Sequence, residues 1–340
     1  MSVSILVYEH LTAGGVADAV PVALADAGLA MWRTLVDDFA SAGCKVWTTV
    51  GEREEITTGK HATTRIRSAG DMDALVHDLA LKCDGAIIVA PETDGILASW
   101  IERFTAWKVP VLNCSAKTIA LCADKYALWK HLDKHGVAAV PTKAASAEAL
   151  LQGMREALAA AGGAYIIKPR DGAGCESIFL CRSPGDVERL RERVTGEKWI
   201  AQPWVSGTPV SMSFIAGGKG LRPLLAGAQN IQGDSELSYA GGTLPLSKKL
   251  ADRAIWLATQ AVKTLKDLRG FIGVDLILGD GPKDDVVVEI NPRVTVSYCG
   301  LRLLCGTNLP KAMIDDDAPI KWRRGSVSFD HAGRITQGGA

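Results

Sequence analysis

The sequence holds little that would point to a metal cluster, a membrane or a nucleic acid. Its eight cysteines (residues 44, 83, 114, 122, 175, 181, 299 and 305) form no CxxC pair and follow no regular spacing. That excludes zinc-ribbon spacing and leaves small buried thiols of a reducing compartment as the reading. Charge of either sign is not in excess: 38 Lys plus Arg balance 38 Asp plus Glu. No basic footprint for nucleic acid or an anionic membrane exists. No apolar run approaches the roughly 20 residues of a membrane helix. The first ten residues lack a basic leader and a cleavage site, so the expected location is the cytoplasm. Serine and histidine show no triad spacing, and no Gly-Lys-Ser/Thr follows a glycine-rich loop, which excludes a Walker A phosphate loop.

The chain does carry apolar residues in quantity, 47% over 340 positions, enough for two or three domains with their own cores. Residues 2–8, 45–50, 86–90 and 109–113 read as strands, with helical periodicity over 31–42 between the first two. Strands alternating with helices predict a doubly wound parallel sheet, whose ligands sit at the carboxyl ends of the strands. Residues 9–15 and 91–95 fall at such ends. Beyond them, residues 115–135 read as one helix or two, 147–161 as an alanine-rich helix and 184–194 as another. Strands are expected at 165–168, 178–181, 199–205, 211–216 and 224–231, forming a second, mainly antiparallel sheet. A helix at 252–268 precedes a strand pair, 270–278 and 286–290. Trp100, Trp107, Trp129 and Trp256 fall at helical core positions, and the tail beyond residue 315 reads as loosely held.

Two constellations carry chemistry. In Ile166-Ile167-Lys168-Pro169-Arg170-Asp171-Gly172-Ala173-Gly174-Cys175-Glu176-Ser177 a strand delivers a lysine into a small-residue loop. Backbone N–H groups of such a loop can close on phosphate oxygens, and the lysine adds a point charge. The second is stronger. Asp275 interrupts the apolar run Phe271-Ile272-Gly273-Val274-Asp275-Leu276-Ile277, and Glu289 and Asn291 stand two apart in Val286-Val287-Val288-Glu289-Ile290-Asn291-Pro292-Arg293. Period-two alternation puts Glu289 and Asn291 on one face. If the two strands pair, Asp275 joins them, and two carboxylates plus an amide oxygen suit Mg²⁺. An acid among Val and Ile needs such compensation.

Taken in order, Lys125, Lys168 with its loop, Gln202-Pro203-Trp204-Val205-Ser206-Gly207, Asp275 and Glu289-to-Arg293 resemble the ATP-grasp superfamily. The resemblance implies an α/β fold with an N-terminal doubly wound parallel domain (1–113), a central α+β lid domain (114–200), a C-terminal antiparallel α+β lobe (201–313) and a tail (314–340). It implies that Lys125 and Lys168 contact ATP phosphates, with Gly172, Gly174 and Ser177 in the closing loop. Gln202, Pro203, Trp204 and Val205 would meet the adenine. Asp275, Glu289 and Asn291 would hold Mg²⁺ or Mn²⁺, and Arg293 and Lys168 would act at the transferring phosphoryl. Two departures stand out. Relatives often carry a ribose-binding acid two residues after the hinge glycine, where this chain has Pro209. D-Alanine–D-alanine ligases usually carry an arginine two residues before the first metal acid, where this chain has Gly273.

The opening Tyr8-Glu9-His10-Leu11-Thr12-Ala13-Gly14-Gly15 is similar to that of tyramine–L-glutamate ligases of methanofuran biosynthesis. Gln229-Asn230-Ile231, Tyr239-Ala240-Gly241-Gly242 and Ser297-Tyr298-Cys299-Gly300-Leu301-Arg302 add to the likeness. It implies an ATP-dependent amide synthesis from small molecules, with Glu9, Gly14, Gly15, Tyr298 and Arg302 at the substrates. A loop in which Glu9 and the glycine pair merely cap the first helix is the competing reading, and another amino-acid ligase or a nucleotide-binding protein without catalysis the competing functions. No nucleic acid or membrane partner is expected; self-association is left open.

Overall fold

The computed structural model describes residues 2–13, 21–51, 62–66, 69–172 and 177–339. The chain opens with β1 (Ser4–Glu9), α1 (Val22–Ser41), β2 (Lys45–Gly51), β3 (Ala62–Ile66), α2 (Ala69–Ala80), β4 (Gly85–Val89) and α3 (Ile96–Ala106). The strands pair in parallel in the order β3-β2-β1-β4. β1 is central, and its run Ile5-Leu6-Val7-Tyr8 is buried throughout, as a strand covered on both faces must be. α1 covers one face with Met31, Trp32, Leu35, Val36 and Phe39, spaced to form one apolar stripe.

Here the expected fourth strand is corrected. Residues 109–113 contribute only an isolated bridge, Val111 to Ala86, and the fourth strand is the polar edge segment Ala62–Ile66, whose Ala-Thr-Thr-Arg-Ile carries little apolar signal. Residues 115–135 form two helices, α4 (Ala116–Ala123) and α5 (Lys125–Lys134). Asp124 separates them: its extended backbone ends α4, and its Oδ1 accepts from the Tyr126 and Ala127 N–H groups to cap α5.

The second sheet is large and antiparallel. It gathers β5 (Lys143–Ala145), β6 (Tyr165–Pro169), β7 (Ile178–Cys181), β8 (Trp199–Pro203), β9 (Thr208–Gly217), β10 (Gly220–Pro223), β11 (Gly227–Gln232), β12 (Glu236–Leu244), β13 (Gly270–Leu278), β14 (Val286–Asn291), β15 (Ser326–Asp330) and β16 (Ile335–Gly339). Its main path runs β14-β13-β9-β11-β12-β7-β6-β8-β5. α6 (Ala147–Ala161) and the short α7 (Pro184–Glu188) cover one end with Leu150, Leu151, Met154, Leu158 and Val187. α8 (Lys248–Lys263) lies on β13, β14 and β9 through Ala254, Leu257, Ala258, Ala261 and Val262. α9 (Ser297–Leu304) and α10 (Leu309–Ile314) pack on α1.

Two more expectations change. The tail is not loose: β15 pairs with β12 and buries Val327 and Phe329. Trp256 is 63% exposed, because the buried stripe of α8 runs through its neighbours Leu257 and Ala254 and away from it. Trp100 is core as expected.

Candidate active site

The register of β13 against β14 places Asp275 directly opposite Glu289 and Gly273 opposite Asn291. A bulge after Asp275 shifts the ladder at that point and re-aims the strand beside the acids. Asn291 Nδ2 donates to Asp275 Oδ2 at 3.0 Å and to Glu289 Oε1 at 3.5 Å. Gln229 Nε2, from β11, donates to Asp275 Oδ1 at 2.9 Å. Lys125 Nζ stands 3.7 Å from Glu289 Oε2 and donates to Gly172 O at 2.5 Å. The three expected metal residues and Lys125 are therefore together.

The charges are set by mutual exposure inside the protein. Burial, then the adjacent Glu289, pushes the Asp275 carboxyl well above the ordinary range. Burial opposes ionisation of Glu289 as well, but Lys125 and Lys168 outweigh it and hold Glu289 below its ordinary value. Two facing carboxylates with hard oxygens, one of them reluctant to ionise, form a donor set that a small divalent cation would relieve. Mg²⁺ takes few protein ligands and fills its shell with water and phosphate. The Asn291 amide exchanges its nitrogen for its oxygen by a half-turn of one torsion. Among the described residues no group of three or more His, Cys, Asp or Glu is placed to hold a metal. The fit thus rests on two acids and an amide, which is what a phosphate-bridged Mg²⁺ requires.

Behind the acids lies a mainly apolar cavity of about 150 Å³. Gln202, Pro203, Trp204 and Val205 line it, together with Lys168, Asp275 and Glu289. β6 pairs with β8, so the strand that carries Lys168 is the neighbour of the strand that ends at the 202–205 segment. Gln202 is fixed by donating Nε2 to Thr142 Oγ1 at 2.8 Å, and the Trp204 N–H donates to Ala164 O. The lining is mainly apolar, with Lys168, Asp275 and Glu289 as its charged groups, a composition that suits a purine carrying phosphates. Pro209 and Ser238 also line it. A larger open groove, about 930 Å³, runs between α6 and residues 187–197 and contains none of these residues.

Gly172 is held by Lys125, and Ser177 has a left-handed backbone (φ 55°). Gly174, Gly14 and Gly15 lie outside the described residues. Asp124 also receives the Arg170 guanidinium, and the Lys125 N–H donates to Arg170 O. The segment that carries Lys168 and the start of the α5 helix are so tied at the root of the loop.

The expected substrate residues are placed differently. Tyr298 is fully buried and donates to Asp38 Oδ2 at 2.7 Å, while Arg302 embraces the same carboxylate through Nε and Nη2. Both fasten α9 to α1 in this structure. Glu9 is 1% exposed; its Oε2 accepts the Thr12 N–H at 2.6 Å. Its carboxyl lies so close to α1 that a Cβ on Gly28 would stand 2.8 Å from it. Burial pushes Glu9 up to about 7. It pins the turn after β1 and does not cap the first helix, which begins at Val22 with Pro21 at its N-cap and no side-chain cap. His10 accepts from Trp100 Nε1 and contacts the Tyr8 hydroxyl, a structural loop histidine. Tyr239 to Gly242 belong to β12, paired on both sides.

Arg293 comes to the edge of the site and meets a residue that sequence reasoning missed. Its Nε lies 2.7 Å from Oε2 of Glu92, in the turn after β4. Glu92 lines a narrow cleft with Lys125, Gly172, Glu289 and Asn291. The available signal was position: residues 91–95 follow a strand of the parallel sheet on its ligand side.

Residues 122–297 match the ATP-grasp domain family, and residues 44–119 match the pre ATP-grasp 3 domain. The chain is 25% identical over 316 residues to tyramine–L-glutamate ligase of Methanocaldococcus fervens, covering 88% of this chain and 89% of that protein. It is 26% identical over 223 residues to the enzyme of the same name from Methanocaldococcus jannaschii, covering 64% of this chain and 58% of that one. Among solved structures it resembles a protein assigned to the ATP-grasp superfamily from Archaeoglobus fulgidus (TM-score 0.72, 23% identity, 96% of this chain and 92% of that one). It also resembles carboxyaminoimidazole ribonucleotide synthase of Aspergillus clavatus in complex with ATP (TM-score 0.69, 17% identity, 96% and 81%). With a family match over more than half its length, this chain belongs to the ATP-grasp domain family.

Proposed function

We propose that the protein is an ADP-forming carboxylate–amine ligase that joins L-glutamate to tyramine. The observation that carries the ligase reading is the convergence of Asp275, Glu289, Asn291 and Lys125 beside the apolar cavity that Asp275 and Glu289 line. The substrate pair follows from the name of the curated relatives, one of which matches along nearly the whole chain. Tyramine and glutamate are small molecules, in keeping with a site of this size. Among the described residues no helix is long and apolar enough to cross a membrane.

In this reading ATP lies with its adenine against residues 202–205 and its phosphates toward Lys168 and Lys125. Asp275, Glu289 and Asn291 would hold Mg²⁺ or Mn²⁺, which would supply Lewis-acid neutralisation of the phosphate charge. Lys168 and Lys125 add fixed positive charge where the equatorial oxygens gather it. A carboxylate oxygen of glutamate attacks the γ-phosphorus as the bond to the β-bridging oxygen breaks, releasing ADP. The amine nitrogen then attacks the acyl carbon as the bond to the phosphate oxygen breaks, and the nitrogen sheds its extra protons. Water must be kept from the acyl phosphate, which would otherwise hydrolyse.

Incubation with ATP, Mg²⁺, tyramine and glutamate should yield ADP and a mass-spectrometric amide in equal amounts. Amide formed with a different amine and none with tyramine would reject the substrate and leave the ligase class standing. ATP binding without any turnover would reject the class.

A further inference from the structure

Glu92 is 6% exposed, yet its carboxylate is only half engaged. Oε2 meets Arg293 at 2.7 Å, whereas Oε1 has no hydrogen-bond partner among the described residues. Arg293 Nε is off the hydrogen-bond axis of that contact, so charge alone holds the pair. A buried unsatisfied oxygen on a charged group is costly, and folded proteins keep few such groups without a reason. Glu92 opens on the cleft it shares with Lys125, Gly172, Glu289 and Asn291. That cleft measures about 10 Å³, room for one water-sized group. Its charged lining is Glu92, Glu289 and Lys125, and Arg293 beside Glu92 brings the group to neutrality. Lys125 is already directed to Glu289 and to the Gly172 carbonyl. What Glu92 Oε1 lacks is a donor, which a small cationic N–H head supplies and an anion does not.

A second metal is the obvious competitor for such a place. Glu92, Glu289 and the Asn291 amide line the cleft, but its volume of about 10 Å³ leaves a second metal no room for the waters of its shell. Location favours an organic cation. Glu289 lines both the apolar cavity and this cleft. Lys125, Glu289 and Asn291 line the cleft with Glu92, so a group held there stands beside the transferring phosphoryl, where the acceptor must arrive.

We propose that Glu92 receives the incoming amine, its Oε1 accepting hydrogen bonds from the substrate ammonium while Arg293 positions the carboxylate from the other side. Arg293 is then a positioning residue. The turn that carries Glu92 is itself anchored, since Lys198 pairs with Asp94 and the Asp94 N–H donates to Asp171 at 3.3 Å. The turn that carries Glu92 and the segment that follows Lys168 are thus fastened together.

This inference rests on the ligase reading, and the test separates the two. Purified protein is assayed with ATP, Mg²⁺ and glutamate, once with tyramine and once with hydroxylamine. Hydroxylamine is a neutral nucleophile that traps the acyl phosphate as a hydroxamate without needing an ammonium site. Glu92→Gln should raise the KM for tyramine about 10- to 100-fold, the loss of one charge-assisted hydrogen bond, and lower the amide-to-hydroxamate ratio by the same factor. An unchanged tyramine KM, or equal loss of amide and hydroxamate, overturns the assignment. Glu92→Asp keeps the charge beside Arg293 and withdraws the oxygen by one methylene. If Glu92→Gln does not fold, Glu92→Asp decides: a several-fold rise in tyramine KM supports the proposal and an unchanged value overturns it. Wild-type protein that makes neither hydroxamate nor amide from any amino acid brings down the ligase reading and this inference with it.

Discussion

Asp275 and Glu289 face each other across two hydrogen-bonded strands, an arrangement that places like charges where sheets favour opposite ones. The pair is tolerated because the neighbours divide the labour. Gln229 and Asn291 donate to Asp275, whereas Lys125 and Lys168 lend positive charge to Glu289.

A divalent cation with nucleotide should therefore stabilise the native protein by mass action. Mg-ADP is expected to raise the thermal midpoint of the wild type and to leave that of Glu289→Ala unmoved. The same variant should lose at least about 100-fold in kcat, given what even outer-sphere changes cost metal sites. Retained turnover in Glu289→Ala would remove this residue from the metal set.

Trp204 is 44% exposed at the edge of the apolar cavity, an unusual place for a large indole. Nucleotide entry should alter its surroundings and shift the intrinsic fluorescence. With nine tryptophans in the chain, the assignment is made by Trp204→Phe, which should remove most of the ATP-dependent change while the other eight report none.

The Asp38–Arg302–Tyr298 group predicts a stability effect without a substrate effect. Removing one partner of a buried ion pair strands the other, a loss of about 3–5 kcal/mol. Arg302→Ala should lower the urea midpoint by a corresponding amount and leave the KM for glutamate and for tyramine unchanged. A selective rise in either KM would restore the arginine to the substrate.

Glu9 predicts a pH dependence. Its folded value, about 7, lies above the ordinary 4.5, so the folded state favours the protonated form. The stabilisation is complete below about pH 4.5 and is lost as pH rises to about 7, amounting to about 3 kcal/mol. Glu9→Gln keeps an oxygen for the Thr12 N–H and cannot ionise. The variant should show a flatter stability profile between pH 5 and 7, and a higher midpoint than wild type at pH 8. Parallel profiles for the two proteins would refute this.

The residues legible in the sequence are those whose chemistry conflicts with their local setting. Asp275 in a run of Phe, Ile, Val and Leu announces itself, and Glu289 and Asn291 share a face by simple alternation. α6, β7 and β13 have the expected bounds because cap residues and apolar periods agree there. What the pattern hid depends on tertiary partners. Ala62–Ile66 is a strand by virtue of β2 beside it. β15 is anchored by β12 from far along the chain. Tyr298 and Arg302 follow the metal strand closely, which made them plausible substrate ligands, but Asp38 in α1 claims them across 260 and 264 positions. Glu92 carries no motif, and only the packing of the parallel sheet against β14 brings it to Arg293. Gly273 is explained by space: a Cβ there would stand 2.9 Å from Thr295 Cγ2, leaving no room for the arginine of other ligases.

The path of hydrogen-bonded strands from β14 to β5 narrows at two junctions. β12 meets β7 through only two residue pairs, Glu236 with Phe179 and Leu237 with Ile178. β11 meets β9 likewise through two, Gly227 with Ser211 and Ala228 with Val210. In mechanical terms these are two compliant strips between three plates: Lys168 rides on the plate of β6 and β7, Asp275 and Glu289 on that of β13 and β14, with β11 and β12 between. A small flexure of either strip changes the gap between lysine and acids without unzipping a plate, so the seams that hold the sheet together set the jaw width of the site.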